Sequence, residues 1–172
     1  DVPLVIDPVL ISGNGDTEMT RLGTAEAMYD TLLGRATAVT PNVPELERLT
    51  GRSVTSREHA IDAANQLLEC GCDAVLFTGG HMKVDDEEVS DMVITVDGHK
   101  WLDPLPRYGV SVHGTGCQLA SALCAALADG DDIVSASEAA RRYLNALLRD
   151  ETRELGKGRP IIVRTARTES DE

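Results

Sequence analysis

Two glycines spaced one residue apart, directly ahead of an apolar helical stripe, create a place where backbone amides can meet an anion. In this sequence His113-Gly114-Thr115-Gly116-Cys117 opens such a helix, whose Leu119, Ala122, Leu123, Ala126 and Leu127 share one face before Gly130 ends it. Gly114 and Gly116 let the backbone approach a ligand closely, and the first N–H groups of the helix point outward with partial positive charge. Such a hole suits the charge that builds on a transferred phosphoryl group, although an ordinary loop-to-helix turn uses the same residues. Cys117 falls in the first helical turn, where the macrodipole and free amides are expected to lower a thiol's pKa and make it a base. The plainer reading is a small buried hydrophobe like Cys124.

Three further groups stand where strands end. Asp7-Pro8 closes the first apolar run, Thr40-Pro41-Asn42-Val43-Pro44-Glu45 follows a second, and Thr78-Gly79-Gly80-His81 follows a third. Side chains there emerge at the carboxyl edge of an open α/β sheet, where such folds bind ligands. Asn42 and Glu45 can hold a hydrated magnesium ion, which takes few carboxylates, several waters and the phosphates themselves. They can equally cap a helix, Asn42 at its start and Glu45 in its first turn. Asp7 and the Gly79-Gly80 pair are ambiguous singly, as turn residues.

The elements that must position these groups read as alternating strands and helices, the pattern of βα units on a mainly parallel sheet. Leu4-Val5-Ile6 is the first strand, apolar throughout and so expected to be covered on both faces. A helix over residues 25–33 ends at Gly34, a strand over 36–40 is stopped by Pro41, and a short helix spans 44–49. Ser56 starts a helix with the stripe Ile61, Ala64, Leu67 and Leu68, which Gly71 terminates before a strand over 74–77. Residues 93–96 and 100–102 flank Asp97-Gly98, a hairpin turn signal. A last helix over 135–149 carries the stripe Ala139, Tyr143, Ala146 and Leu147. One domain is expected over residues 1–164, with a polar tail at 165–172.

Composition narrows the function classes. The chain of 172 residues carries 29 acidic against 16 basic residues, a net charge of −13, without a basic cluster to attract nucleic acid or an anionic membrane. No apolar run approaches the roughly 18 residues of a membrane span, and no leader pattern is seen, so a cytoplasmic protein is expected. Lys83, Lys100 and Lys157 are the only lysines, a balance suited to a salt-rich cytoplasm. Full folding and stability without added salt would remove that idea. Cys70, Cys72, Cys117 and Cys124 match neither a C-x-x-C pair nor a zinc pattern, and reduced thiols are expected.

Taken in order, Asp7-Pro8-Val9, Thr40-Pro41-Asn42 with Glu45, Gly79-Gly80-His81 and His113-Gly114-Thr115-Gly116-Cys117 resemble the signature series of the phosphomethylpyrimidine kinases of thiamine biosynthesis, in the ribokinase-like superfamily. Glu154-Leu155-Gly156-Lys157-Gly158 resembles the family's closing segment. The resemblance implies a ribokinase-like α/β fold, here its carboxyl-terminal portion without the family's amino-terminal part. It implies ATP and magnesium as cofactors and a small pyrimidine substrate, with Cys117 as the base where the wider superfamily has aspartate. It further implies an anion hole of Gly114, Thr115 and Gly116, nucleotide contacts from Asn42, Thr78, Gly79 and Gly80, and metal-phosphate roles for Asp7 and Glu45.

The sequence departs from that pattern where relatives carry two phosphate-facing lysines. Ser12-Gly13-Asn14-Gly15 follows the first strand, and Thr78 stands where relatives have the lysine of Lys-Gly-Gly-His. Pyridoxal kinase activity on the same scaffold and a noncatalytic anion-binding or regulatory module are the competing readings. A first strand with no chain before it is expected to expose apolar surface for a second copy or another docking partner.

Overall fold

The computed structural model describes residues 2–11, 20, 21, 23–81, 88–108, 112–154 and 158–163. The Ser12-Gly13-Asn14-Gly15 loop, most of the closing segment and the polar tail lie outside them. Strand β1 (Val5–Ile6) leads through helix α1 (Thr24–Thr31) and a 3-10 turn (Leu33–Arg35) to β2 (Ala38–Val39). Helices α2 (Val43–Thr50) and α3 (Arg57–Glu69) follow, then β3 (Ala74–Phe77) and a second 3-10 turn (Gly79–His81). Next come β4 (Glu88–Val89), β5 (Met92–Thr95), β6 (Gly98–Trp101) and β7 (Leu105–Pro106). Helices α4 (Thr115–Ala128) and α5 (Ile133–Asp150) precede β8 (Thr152–Arg153) and β9 (Ile161–Ile162).

The main sheet has the order β1-β2-β3-β5-β6. The first three strands are parallel, β5 runs antiparallel to β3, and β6 turns back on β5 as a hairpin. The edge strand β6 is largely exposed, and both faces of this sheet are covered over β1, β2, β3 and β5. On one, Ile6, Val39, Val75, Phe77 and Ile94 pack with Leu46, Ala60, Ala64 and Leu67 of α2 and α3. On the other, Ala38, Ala74, Leu76 and Val93 pack with Leu119 and Leu123 of α4 and Ala136 and Ala140 of α5. Continuous apolar strands are what a sheet covered on both faces requires. Among the described residues, no helix is long and apolar enough to cross a membrane.

Local chemistry accounts for the boundaries. Ser56 caps α3 by accepting the His59 amide at 3.2 Å. Gly71 leaves α3 with φ 108°, a conformation side chains resist, and sets its backbone against Gly34, 3.4 Å from where a Gly71 methyl would lie. A methyl on Gly34 would in turn be driven into the Cys70 carbonyl. Gly34→Ala is therefore expected to cost about 2–3 kcal/mol of stability in denaturant titration; a loss under about 0.5 kcal/mol would mean the two segments can part freely.

Three expectations are corrected. β1 is covered on both faces by elements that follow it, Ile6 in one core layer and Val5 against the other, so no earlier segment is needed for that. What lacks a neighbour among the described residues is its lateral edge, beside Val2, Leu4 and Val9, which are 92%, 39% and 42% exposed. The hairpin turns on Val96 and Asp97 rather than on Asp97-Gly98, because Gly98, at φ 137°, already pairs with Thr95. Helix α5 buries Ala136, Ser137, Ala140, Arg141 and Leu147, not the stripe of Ala139, Tyr143 and Ala146. That buried face contains a charge, which periodicity treats as an outside residue.

Candidate active site

Because β1, β2 and β3 are parallel neighbours, Asp7, Thr40-Pro41-Asn42 and Thr78-Gly79-Gly80 leave the sheet side by side at its carboxyl edge. The register continues past the strands: Thr78 bridges Asn42, and its amide donates to the Pro41 carbonyl at 3.0 Å. Helix α4 lays its amino terminus on the same edge, where a methyl on Gly116 would lie 3.7 and 3.8 Å from the carboxylate oxygens of Asp7.

That helix end is open. Gly114 is the N-cap at φ 88°, no side chain caps it, and the first amide to close onto the helix is Gln118 N–H, which donates to Gly114 O at 3.0 Å. The amides of Thr115, Gly116 and Cys117 precede it, as an anion hole requires. A glycine at N-cap is the choice that supplies the turn without a side chain to fill the hole.

Asn42 and Glu45 form a reciprocal capping box at the start of α2. The Glu45 amide donates to Asn42 Oδ1 at 3.0 Å, and the Asn42 amide donates to Glu45 Oε2 at 3.0 Å. Glu45 is 4% exposed. Burial pushes its carboxyl up to about 7, with the nearby Asp7 charge adding to the rise and donations from the Asn42 and Leu10 amides opposing it. Burial also raises Asp7, against hydrogen bonds donated by Cys117 and Thr40. The Thr40 hydroxyl reaches Asp7 Oδ1 at 3.5 Å.

The Cys117 thiol is corrected in direction. It is raised, not lowered, from its ordinary value, first by desolvation and then by its hydrogen bond to Asp7 and the charge of that carboxylate. The helix end favours a thiolate, but a neighbouring carboxylate that accepts the thiol proton disfavours it more. Cys117 remains exposed on its outer side. The pair is thus a proton-bearing sulfur beside an acceptor, within the first turn of an open helix, and the sulfur becomes a base for a bound hydroxyl once that proton is lost.

Two desolvated carboxylates that feel each other's charge form a site a divalent cation would relieve. Asp7 and Glu45 fit magnesium held mainly by water and phosphate oxygens. No cluster of three or more His, Cys, Asp or Glu suited to a metal occurs among the described residues. Every predicted site residue therefore lies on this edge, with Cys117, Gly116 and Asp7 in one group and Asn42, Glu45 and Thr78 in another beside it. Sequence reasoning placed Thr40 at this edge without a role of its own, and missed Asp91, Arg107 and Arg141. Asp91 receives the Gly79 amide at 2.8 Å, and Arg107 donates to the Gly80 carbonyl. A signal for Arg141 existed: it lies four and five residues after the buried Ser137 and Ala136, at helical spacing.

Comparison with known proteins finds relatives over most of the chain. The sequence pattern described as phosphomethylpyrimidine kinase matches residues 1–162. The hydroxymethylpyrimidine/phosphomethylpyrimidine kinase of Bacillus subtilis is 34% identical over 157 residues, covering 90% of this chain and 56% of that protein. The thiamine biosynthesis bifunctional protein ThiED of Geobacter sulfurreducens is 36% identical over 158 residues, 90% of this chain and 31% of its own. The chain thus spans from about a third to just over half of the length of these two relatives. Among solved structures, a pyridoxal kinase from Staphylococcus aureus superposes with a TM-score of 0.82 at 27% identity, over 94% of this chain and 57% of that one. A phosphomethylpyrimidine kinase from Clostridium difficile gives 0.70 at 28%, over 86% and 58%.

Proposed function

The chain belongs to the phosphomethylpyrimidine kinase family, and from that premise we propose that it carries the phosphoryl-transfer centre of an ATP-dependent kinase acting on hydroxymethylpyrimidine or its monophosphate. The observation that carries the reading is the open amino terminus of α4 set over the Asp7–Cys117 pair. Amides at residues 115–117 would take the charge that develops on the transferred group, while Cys117, once its own proton has been lost, would take the proton of the attacking hydroxyl. Asn42 and the turn Thr78-Gly79-Gly80 would lie along the nucleotide phosphates. Asp7 and Glu45 would hold magnesium, which when bound neutralises phosphate charge.

A second reading, pyridoxal as the alcohol, is favoured by one observation. Structures of the Staphylococcus aureus pyridoxal kinase, including one with both AMP-PCP and pyridoxal, superpose with TM-scores of 0.80 to 0.82. The open end of α4 serves either alcohol, so substrate comparison decides between them. The reading extends to a cytoplasmic setting and to a second copy or another partner along the free edge of β1. Sedimentation of the purified chain tests that last point, a monomer with no tendency to associate speaking against it.

The deciding assay measures ATP consumption with magnesium and hydroxymethylpyrimidine phosphate, then with pyridoxal. Turnover on the pyrimidine supports the main reading, turnover confined to pyridoxal supports the second, and ATP binding without turnover on either supports a noncatalytic module.

A further inference from the structure

Arg141 and Asp91 are 4% and 6% exposed and are joined through Arg141 Nε and Asp91 Oδ2 at 2.7 Å. Burying an ion pair is poor insurance for stability, since a matched apolar pair in its place is commonly neutral or better. A reason for this one must be sought in what it holds. The guanidinium also donates through Nη1 to the Asp103 carbonyl at 2.9 Å and through Nη2 to the Val89 carbonyl at 3.5 Å. It thereby ties α5 to the chain on both sides of the β5–β6 hairpin.

The other carboxylate oxygen of Asp91 faces the nucleotide edge. The β3–β5 ladder ends at Phe77 and Met92, and one step further the Asp91 side chain replaces the backbone acceptor, taking the Gly79 amide at 2.8 Å. Three consecutive residues are then held from three directions. Thr78 N–H donates to Pro41 O at 3.0 Å, Gly79 N–H to Asp91, and Gly80 O accepts from Arg107, whose Nη2 also reaches Glu88 O at 3.2 Å. The turn that leaves the sheet beside Asn42 and Glu45 is fixed residue by residue, and a buried carboxylate supplies the middle restraint.

We infer that Asp91, paired with Arg141, is a positioning residue for the nucleotide: it sets the backbone of Gly79-Gly80 against the phosphates without touching them. The inference rests on the nucleotide role proposed above for that turn. Arg141 has a second task in this arrangement, because a carboxylate directly behind a phosphate-binding turn would repel the phosphates unless its charge were cancelled.

The test replaces the pair with apolar residues, Asp91→Leu with Arg141→Met, and adds Asp91→Ala, which also removes the acceptor of the Gly79 amide, as a second variant in case the double one folds poorly. AMP-PCP affinity is measured by calorimetry on folded protein, with KM for ATP, kcat and thermal melting beside it. The double variant is expected to melt within a few degrees of the parent yet bind AMP-PCP about tenfold more weakly. Its KM for ATP should rise in step, and kcat at saturation should stay within about threefold. A purely structural pair would shift melting and leave the affinity of the folded protein alone, and that outcome in either variant overturns the positioning role. Failure of the parent chain to bind AMP-PCP would instead overturn the nucleotide reading of the turn, and this inference with it.

Discussion

Replacement of Cys117 by alanine is expected to lower phosphoryl transfer by about 10²- to 10⁴-fold, the range for removal of a positioned general base, while nucleotide affinity stays within about threefold. The split follows from placement. The sulfur donates to Asp7 at the open end of α4, whereas the turn expected to meet the nucleotide lies two strands away, at the end of β3. Since burial, and then the hydrogen bond to Asp7 and its charge, raise the thiol's pKa, the basic form accumulates only as pH rises. Transfer by the parent chain should therefore climb with pH and still be rising at pH 9.0, the ordinary thiol value, and the residual activity of the variant should not. Rapid-quench kinetics up to that pH would show both. Turnover by Cys117→Ala at the parental rate would remove the cysteine from the chemistry and leave Asp7 as the group to examine.

Glu45→Gln is expected to have the second-largest effect, with opposite signs on stability and activity. The folded carboxyl titrates near 7, above its ordinary 4.5, because it is buried beside Asp7. The native state therefore binds more protons than the unfolded chain between those values, and stability falls as pH rises from about 4.5 to about 7. At pH 8 in metal-free buffer the ionised Glu45 costs up to about 3 kcal/mol, taking 1.36 kcal/mol per pH unit as the conversion. Glutamine cannot ionise and still accepts the Asn42 amide at the third helical position. The variant should thus be more stable than the parent at pH 8, and the two stability curves should meet below about pH 4. Activity should fall about 100-fold as the carboxylate available to magnesium is lost. Denaturant titrations at three pH values decide the stability half, and equal stability at pH 8 would show that Glu45 is not desolvated in solution.

The division between what was legible and what was not follows physical lines. Strand and helix identities were readable because they depend on local periodicity and on capping chemistry within a few residues, as with Ser56 capping α3 by accepting an amide and Gly71 ending it. The order of strand ends, and so the grouping of Asp7, Asn42 and Thr78, was readable once a parallel sheet was accepted. The short strands outside the main sheet were not. Strands β4, β7, β8 and β9 have two residues each, too few for a period, and exist because they pair with each other. Arg141 was not singled out, because its partner Asp91 lies 50 positions earlier.

By itself, the sequence determined the α/β class, the family, and which residue types stand at the carboxyl edge, because these rest on patterns of near neighbours. Tertiary structure decided the electrostatics of the edge. Whether Cys117 is a thiol or a thiolate depends on its burial and on the carboxylate that folding brings beside it across 110 positions, which together outweigh the helix end the sequence displays. Whether Glu45 is charged depends on how much water is left around it, a property of the packed edge and of no segment alone.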